Sequence, residues 1–190
     1  FIAGWTDMEF DFLLDADQDA EVLTTVGNSK TSSDSNSQEL RLTSTTDSPL
    51  QWLLGFYRLE ENAEQPLLVV NVPGVTINNG WEMETESWAV FSQLSYEITD
   101  TVQLTGGIRY SDDEKKGRGR RETCVTGRPF CPIPNTVIEE ENSWDDVTWL
   151  VGADWSPWNN HMLYAKLSTG YKAGGFNLIG AEPENTIWDP

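Results

Sequence analysis

A long alternation of apolar and polar residues, Trp88–Asp113, most constrains how this chain can fold. Apolar side chains recur at every second position over Trp88–Tyr96, with one serine among them, and again over Val102–Tyr110. A period of two indicates a β-strand with one apolar face. The segment Ile98–Thr101 between them predicts a tight turn, with Asp100 suited to bonding nearby backbone amides. Each strand can reach ~10 residues, more than the usual globular length of roughly 5–6 and near what a tilted strand needs to cross a bilayer.

The same alternation predicts further strands before and after this hairpin. They are Thr6–Leu14, Ser37–Thr46, Leu50–Glu60, Ser143–Ser156 and His161–Lys172. Tight turns are predicted at Thr46–Pro49 and over 156–160, where proline and asparagine favour them. Long polar segments connect the other strands and are predicted to be loops: Asp15–Asn36, Glu61–Thr85, Asp112–Asn142 and the stretch that begins at Ala173. Long connections therefore fall at one end of the strands and short ones at the other.

This order predicts an all-β, antiparallel fold of about seven long strands, part of an incomplete transmembrane β-barrel with short periplasmic turns and long extracellular loops. A soluble sandwich would show shorter strands with turns every ~8–12 residues at both ends. Aromatic residues near the predicted strand ends agree with a barrel, which carries an aromatic girdle at each membrane interface. The girdle candidates are Trp52, Trp88, Tyr110, Trp155, Trp158 and Tyr171. Aromatics also fill soluble β cores, so their placement alone does not separate the two folds. The strand length decides in favour of the membrane.

The composition excludes several other classes of protein. No run of about 18 apolar residues occurs, so a transmembrane helix is excluded. The formal net charge of -19 and the sequence pI near 4.1 argue against a nucleic-acid partner, which requires a clustered basic surface. The acidity fits polar loops exposed outside a cell, or an ordinary acidic soluble surface. The chain opens on Phe1 rather than Met and ends in a loop-like stretch, so we expect it to be a piece of a larger protein.

Two cysteines, Cys124 and Cys131, lie in a segment rich in glycine and proline, CVTGRPFC. A single histidine in the whole chain disfavours a zinc site, which usually combines several cysteine and histidine ligands. A local disulfide in an oxidising compartment is the prediction. A pair of free thiols is the alternative.

Acidic motifs in the chain do not match a metal or catalytic site. The run from Asp15 to Asp19 begins like a calcium loop, but Ala20 stands where glycine is expected and Val26 where glutamate is expected. A solvated acidic segment is predicted there instead. The chain has no nucleophile motif, no glycine-rich phosphate loop and no metal-ligand cluster. We therefore expect no cofactor, no bound metal and no enzyme activity.

Basic residues form one dense run in this acidic chain. The run comprises Lys115, Lys116, Arg118, Arg120 and Arg121, and Arg109 precedes it on a predicted strand. Such a cluster can attract an anionic ferric chelate or the phosphates of lipopolysaccharide. Alternatively, it pairs with the nearby acidic residues Glu139, Glu140 and Glu141. Arg41 and Arg109 lie on polar strand faces, where they would line a ligand path or contact a plug.

Several stretches resemble the barrel of TonB-dependent outer-membrane receptors. They are SQELRLTS at 37–44 followed by WLLGFY at 52–57, AVFSQ at 89–93 leading to TGGIRY at 105–110, and LYAK at 163–166 leading to GYKAGGFN at 170–177. Each is weak alone, but in this order and at hairpin spacing they are specific for the family. The resemblance covers the chain from Phe10 to Asn177.

The resemblance implies a barrel of about 22 strands in the outer membrane of a Gram-negative cell, plugged by an N-terminal domain. Such receptors import ferric siderophores or other scarce nutrients such as haem, cobalamin or oligosaccharides, with energy from the TonB complex. Residues 1–190 would be one part of the barrel domain, without the plug, the TonB-binding N-terminal region or the last strands. Outer-membrane lipid and lipopolysaccharide would surround it. A glycan-binding β-rich module and a smaller barrel of another family are the alternatives.

Overall fold

The computed structural model describes residues 1–15, 25–125, 131, 136–158, 160–179 and 186–189. Seven strands form one antiparallel sheet in chain order: β1 Ile2–Asp15, β2 Thr25–Thr43, β3 Leu50–Val72, β4 Val75–Thr99, β5 Val102–Val125, β6 Thr136–Trp158 and β7 His161–Ser168. A separate pair, β8 Gly175–Phe176 and β9 Ile187–Trp188, forms a two-stranded sheet. The predicted all-β antiparallel fold of seven strands is confirmed. No helix in the described residues is long and apolar enough to cross a membrane.

The strands extend far beyond the predicted bounds, and three of the predicted loops were wrong. Strands β3 to β6 contain 23, 25, 24 and 23 residues, which corresponds to ~75–80 Å each when extended. The segment Glu61–Thr85 belongs to β3 and β4, which a turn at Pro73 and Gly74 joins. Much of Asp15–Asn36 and Asp112–Asn142 is likewise strand. Ladder hydrogen bonds come from the backbone, so polar side chains do not end a strand that its neighbours hold in register.

Two rows of paired residues define the faces of the sheet, because directly opposed residues share a face. The outer face carries the row Leu40, Phe56, Val90, Tyr110 and Val147. The inner face carries the adjacent row Arg41, Gly55, Phe91, Arg109 and Thr148.

The outer face bears an exposed apolar band near the ends of the strands that the tight turns connect. On β4 this band extends from Trp88 to Ile98, ~33 Å along the strand. A tilt of ~45° reduces this to ~23 Å in height, close to the ~25 Å apolar band of outer-membrane barrels. Leu94 is 53% exposed and Val151 is 51% exposed. A contiguous apolar surface this exposed marks a contact with a membrane or with another protein.

Beyond the band, the same strands continue as a polar extension, residues 58–72, 75–87, 112–125 and 136–146. Its outer face carries mainly Glu, Lys and Arg instead of Leu, Val and Trp. The register between β4 and β5 is continuous from Val75 through Glu97. The band and the polar extension are therefore one sheet with two surface chemistries.

In β1 the apolar side chains of the predicted strand lie on the inner face, whereas in the band of β3 to β6 they lie on the outer face. Met8 pairs with Ser33, which pairs with Ala63 and so lies on the inner face. The apolar residues of the predicted strand Thr6–Leu14 therefore begin on the inner face, whereas the outer positions there are acidic. The alternation predicted a strand correctly but does not specify which face meets water.

The chain leaves the sheet after β7 and folds back onto the inner face. The predicted strand His161–Lys172 was wrong at its end, since β7 stops at Ser168. We call residues 171–179 and 186–189 the strap; it contains β8 and β9 and contacts β5 and β6 at Gly117, Gly119 and Trp144. This places the predicted fourth loop inside the curve of the polar extension.

Candidate functional site

Arg109 is the central charged residue of the inner face at the level of the band. Its guanidinium carbon lies 5.8 Å from the ring centre of Tyr57 and 5.5 Å from that of Phe91. Its Nε donates a hydrogen bond of 2.9 Å to the Ser111 hydroxyl. Two aromatic faces and one hydroxyl thus orient a cation that makes no carboxylate ion pair within the described residues. A partly desolvated guanidinium of this kind can bind an anion.

Gly55 makes room for the ring that packs beside Arg109. A Cβ atom at Gly55 would lie 2.1 Å from Cζ of Phe91, far inside the van der Waals contact distance. The far edge of the Phe91 ring therefore lies against the backbone of β3 at Gly55. Arg41, in the same inner row, is different because its Nε is ion-paired with Glu39.

The basic run is divided between the two faces of β5. Lys115 and Arg121 are on the inner face, with Arg109, because they have the same parity along the strand. Lys116, Arg118 and Arg120 are on the outer face. The sequence therefore did not reveal that these residues form two separate groups, since the segment was predicted to be a loop.

Two of the three outer cations, Lys116 and Arg118, are paired with acidic residues. Lys116 Nζ lies 2.9 Å from Glu114 Oε1 and 3.3 Å from Glu141 Oε1. Arg118 lies 3.2 Å from Glu139 and 3.7 Å from Glu82. These contacts agree with the alternative in which the basic run pairs with Glu139 and Glu141. Together they form a ladder of alternating charge across β4, β5 and β6.

The pKa values in this ladder reflect the pairing. Hydrogen bonds and charge attraction from Glu114 and Glu141 raise the pKa of Lys116 to about 12. The hydrogen bond and the charge of Lys116 lower the pKa of the Glu114 carboxyl. Both groups are solvent-exposed, so water screens the interaction and its contribution to stability is small.

A shallow cavity of about 310 Å³ lies beside this ladder and is lined mainly by outer-face residues. Arg118, Arg120, Glu82 and Val137 line it, and Arg120 Nη2 donates a 2.9 Å hydrogen bond to the carbonyl of Pro66. Its polar groups already bond to one another. It is therefore a poorer ligand site than the inner face.

The strap packs on the inner face over a pair of glycines. A Cβ atom at Gly117 would lie 2.8 Å from the Phe176 ring, and one at Gly119 would lie 2.0 Å from the carbonyl oxygen of Leu178. Leu178 is 6% exposed. Lys115 Nζ donates a 2.9 Å hydrogen bond to the carbonyl of Gly174. The strap backbone thus approaches β5 to a distance that only glycine permits.

Trp144 anchors the other side of the strap. Its indole Nε1 donates a 3.0 Å hydrogen bond to Asp189, and its backbone carbonyl accepts a 2.8 Å bond from the hydroxyl of Tyr171. Thr186 donates a hydrogen bond to Glu140. Four hydrophobic residues are buried in the described part of the chain, and three of them are Trp144, Ile138 and Leu178. The junction between strap and sheet is therefore the main core there.

The sequence-based assignment of Tyr171 to an aromatic girdle does not fit the strap. Tyr171 lies after β7, and its hydroxyl is bonded to the backbone of Trp144 rather than exposed beside the band. Burial, followed by the hydrogen bond and charge of Asp113, raises the pKa of its hydroxyl. The strap is not predicted from the sequence, although the spacing of Gly117 and Gly119 is a signal for close backbone approach.

The other girdle candidates lie near the two ends of the band, and all of them except the half-buried Tyr110 are exposed. Trp52, Trp155 and Trp158 are near the tight turns. Trp88 and Tyr110 lie at the opposite end, with ring centres 5.4 Å apart. Trp158 is the most exposed of the five, at 70%.

The two cysteines are joined at the tip of the hairpin formed by β5 and β6. The S–S distance between Cys124 and Cys131 is 2.05 Å. Glu122 lies beside the sulfurs, but sulfurs bonded to each other offer no thiolate to a metal ion. This group therefore has a structural role and not a metal-binding one.

Comparisons with known proteins agree with this architecture. A family model described as "TonB dependent receptor-like, beta-barrel" matches residues 3–186. The pesticin receptor of Yersinia enterocolitica is 25% identical over 144 residues, which cover 75% of this chain and 20% of that protein. The pesticin receptor of Yersinia pestis is 24% identical over the same length and coverage. The chain thus spans about a fifth of the length of the curated relatives it matches.

A solved structure supports the same fold. The crystal structure of the ferric yersiniabactin uptake receptor FyuA from Yersinia pestis matches with a TM-score of 0.67 and 21% identity. The match covers 84% of this chain and 24% of that one. At this identity the likeness describes the fold and not the ligand.

Proposed function

The chain belongs to the TonB-dependent receptor β-barrel family, and on that premise we propose that it is part of an outer-membrane receptor that imports a ferric siderophore. The family is one of transport receptors rather than enzymes. Residues 1–190 would form one part of the barrel domain. A plug and further strands would belong to the parent protein, whose N-terminal region would engage the TonB complex.

The single observation that carries the ligand proposal is the state of Arg109. It is an inward-facing cation in contact with two aromatic rings, whereas Lys116 and Arg118 on the outer face are neutralised by glutamates. Ferric siderophore complexes commonly carry negative charge, which such a guanidinium can bind. A solved relative supports the proposal, because it is a ferric yersiniabactin uptake receptor.

The predicted ligand residues divide into two proposed roles. Arg109, Lys115 and Arg121 face inward and are proposed to attract the ligand, although Lys115 is also bonded to the strap. The outward residues Lys116, Arg118 and Arg120 are proposed to meet the phosphates of lipopolysaccharide above the band. Contact with those phosphates would require Lys116 and Arg118 to exchange glutamate partners, and Arg120 to leave the carbonyl of Pro66.

The band is proposed to lie in the hydrocarbon core of the outer membrane. The tight turns at 100–101 and 44–49 would then be periplasmic, with Trp52, Trp155 and Trp158 at that interface. Trp88 and Tyr110 would lie at the outer interface, where amphipathic rings are favoured. The polar extension and the strap would stand outside the cell.

Uptake of a labelled ferric siderophore tests this function. Iron-starved cells lacking the receptor would receive the full-length gene, either native or carrying Arg109→Gln or Arg58→Gln. Arg58 is the matched control because it faces outward and is ion-paired with Glu60. We expect uptake with the native and Arg58→Gln receptors and reduced uptake with Arg109→Gln. Receptor-dependent import of cobalamin or an oligosaccharide without ferric siderophore import would overturn the proposal.

A further inference from the structure

The strap has a second face that points away from the sheet. In its two-stranded ladder, Gly175 pairs with Trp188, and Phe176 pairs with Ile187. Phe176 faces the sheet, since its ring contacts the position of Gly117. Because adjacent residues of a strand point to opposite faces, Trp188 faces away from the sheet, into the space that the inner face borders.

Trp188 and Lys172 form a pair on this free face. The Lys172 Nζ atom lies 5.1 Å from the centre of the Trp188 ring. A Cβ at Gly175 would lie 2.6 Å from Cζ2 of Trp188, so the ring rests directly on the backbone of β8. Trp188 nevertheless remains 44% exposed. One ring surface is packed on the strap, and the rest of the indole is available for contact.

Lys172 differs from the cations of the outer ladder. Each of Lys116 and Arg118 contacts two glutamates. In the part of the chain that the structure describes, Lys172 makes no ion pair and contacts only an aromatic ring. The chain has a formal net charge of -19, so most cations have carboxylates available to them. An anionic ligand can bind Lys172 without first displacing a carboxylate.

The strap holds this pair in a fixed position. Leu178 and Thr186 are 6% and 4% exposed, and the glycine pair lets the strap backbone touch β5. Hydrogen bonds from Lys115 and Trp144 fix both of its strands. A contact surface that is ordered before binding loses less conformational entropy when a ligand arrives.

We propose that Lys172 and Trp188 form a ligand-contact surface for an anionic molecule that carries a flat apolar ring. The indole stacks on the ring, and the ammonium group attracts the negative charge. The inference deepens the proposed function and rests on it, because it names a chemical class for the imported ferric chelate. It adds the strap as a second contact surface beside the inward-facing cations that are proposed to attract the ligand.

Binding of two ferric chelates to the purified full-length receptor tests the assignment. The ferric complex of 2,3-dihydroxybenzoate carries both rings and negative charge, whereas ferric citrate carries negative charge without a ring. Each would be titrated into native receptor and into the variants Trp188→Ala, Trp188→Phe and Lys172→Gln. Trp158→Ala is the matched control, since Trp158 is an exposed tryptophan near the tight turns.

We expect Trp188→Ala to weaken binding of the dihydroxybenzoate complex about tenfold and to leave ferric citrate almost unchanged. Trp188→Phe should restore most of the loss, because a ring is present again. Lys172→Gln should weaken both chelates, and Trp158→Ala neither. If the native receptor binds chelates and the Trp188→Ala and Lys172→Gln variants bind them equally well, this inference alone is wrong. If the native receptor binds no ferric chelate, the inference and the proposed function are both wrong.

Discussion

The apolar band and the polar extension are built from the same strands but depend on different interactions. In the band, outward side chains such as Val90 and Val151 are exposed, and surrounding lipid would satisfy them. In the extension, the outward row Glu82, Arg118 and Glu139 carries alternating charge across three strands. The backbone ladder does not change at the border. The solvent, and not the hydrogen-bonded backbone, therefore dictates the outer surface of each region.

The inner faces of the two regions differ as well. At the level of the band, the inner face carries Arg109 and two aromatic rings. In the extension, the strap covers β5 and β6 and buries Leu178 and Ile138. The extension's own chain thus supplies apolar cover on its inner face, whereas lipid would supply apolar cover on the outer face of the band.

A charge placed in the band should have the largest effect. Ile108→Lys puts an ammonium on an outward position that is 56% exposed, and a lysine facing lipid costs about 2–4 kcal/mol near the bilayer midplane. Val137→Lys is the matched control in the extension, where Val137 also faces outward and is 52% exposed. Water solvates the new charge there, so its cost should be about 1 kcal/mol or less, from repulsion by Arg120 directly opposite. Urea unfolding of the full-length receptor in lipid vesicles measures both, and equal costs would remove the distinction between the regions.

Removal of the disulfide should destabilise the far end of the extension and leave the band unchanged. A crosslink around a loop this short contributes about 2–3 kcal/mol in the chain-entropy model. We expect Cys124→Ser/Cys131→Ser to increase hydrogen exchange in the neighbouring strand around Asn78. Exchange at Leu94 in the band should stay the same. Faster exchange in both places would mean that the two regions unfold as one unit.

A single methyl group added at Gly119 should displace the strap from β5. Gly119→Ala places a Cβ against the Leu178 carbonyl, and such overpacking costs about 1–3 kcal/mol. Gly106→Ala is the matched control, because Gly106 is on the same strand and a Cβ there has open space. Thr186→Cys would be added to the native receptor and to each glycine variant. Its rate of maleimide labelling measures how readily the strap leaves the sheet. We expect faster labelling with Gly119→Ala only, and equal rates in both backgrounds would show that the glycine is not required for docking.

The charge ladder should have the smallest effect, and that effect should depend on pH. The pKa of Lys116 is raised from 10.5 to about 12, so its stabilisation is fully present below pH 10.5 and is lost as the pH rises through about 12. The unfolding midpoint of Lys116→Gln should therefore lie slightly below that of the native receptor at pH 8 and approach it above pH 12. Arg118→Gln should show no such convergence, because arginine does not lose its proton there. A constant difference for Lys116→Gln would exclude the ion pair as its cause.

The sequence predicted the band well and the extension poorly, for a physical reason. In the band, alternation contrasts Val90 with Ala89 and Leu94 with Gln93, and this contrast identifies the strand and its two faces. In the extension, both faces of β2 and β5 carry polar groups, so the alternation has no hydropathy signal. What holds those strands is pairing with distant neighbours, which a local pattern does not contain.

The candidate site shows the same division. Arg109 was predicted on a polar strand face, and the structure places it on the inner face as that pattern implies. The basic run was treated as one patch because its segment was predicted to be a loop; once it is known to be strand, alternation alone separates Lys115 from Lys116. The strap could not be predicted, since the contact between Leu178 and Gly119 joins residues far apart in sequence.

The close packing of Phe91 on Gly55 has a consequence for how this sequence can diverge. Any side chain at Gly55 would collide with the Phe91 ring, the nearest atom being 2.1 Å from its Cβ. A larger residue at position 55 therefore requires the ring at position 91 to swing away or to become smaller. Either change also removes one of the two aromatic faces beside Arg109. Descendants of this chain that lose the glycine should lose this ring contact with it, and their ligand preference should shift in the same step.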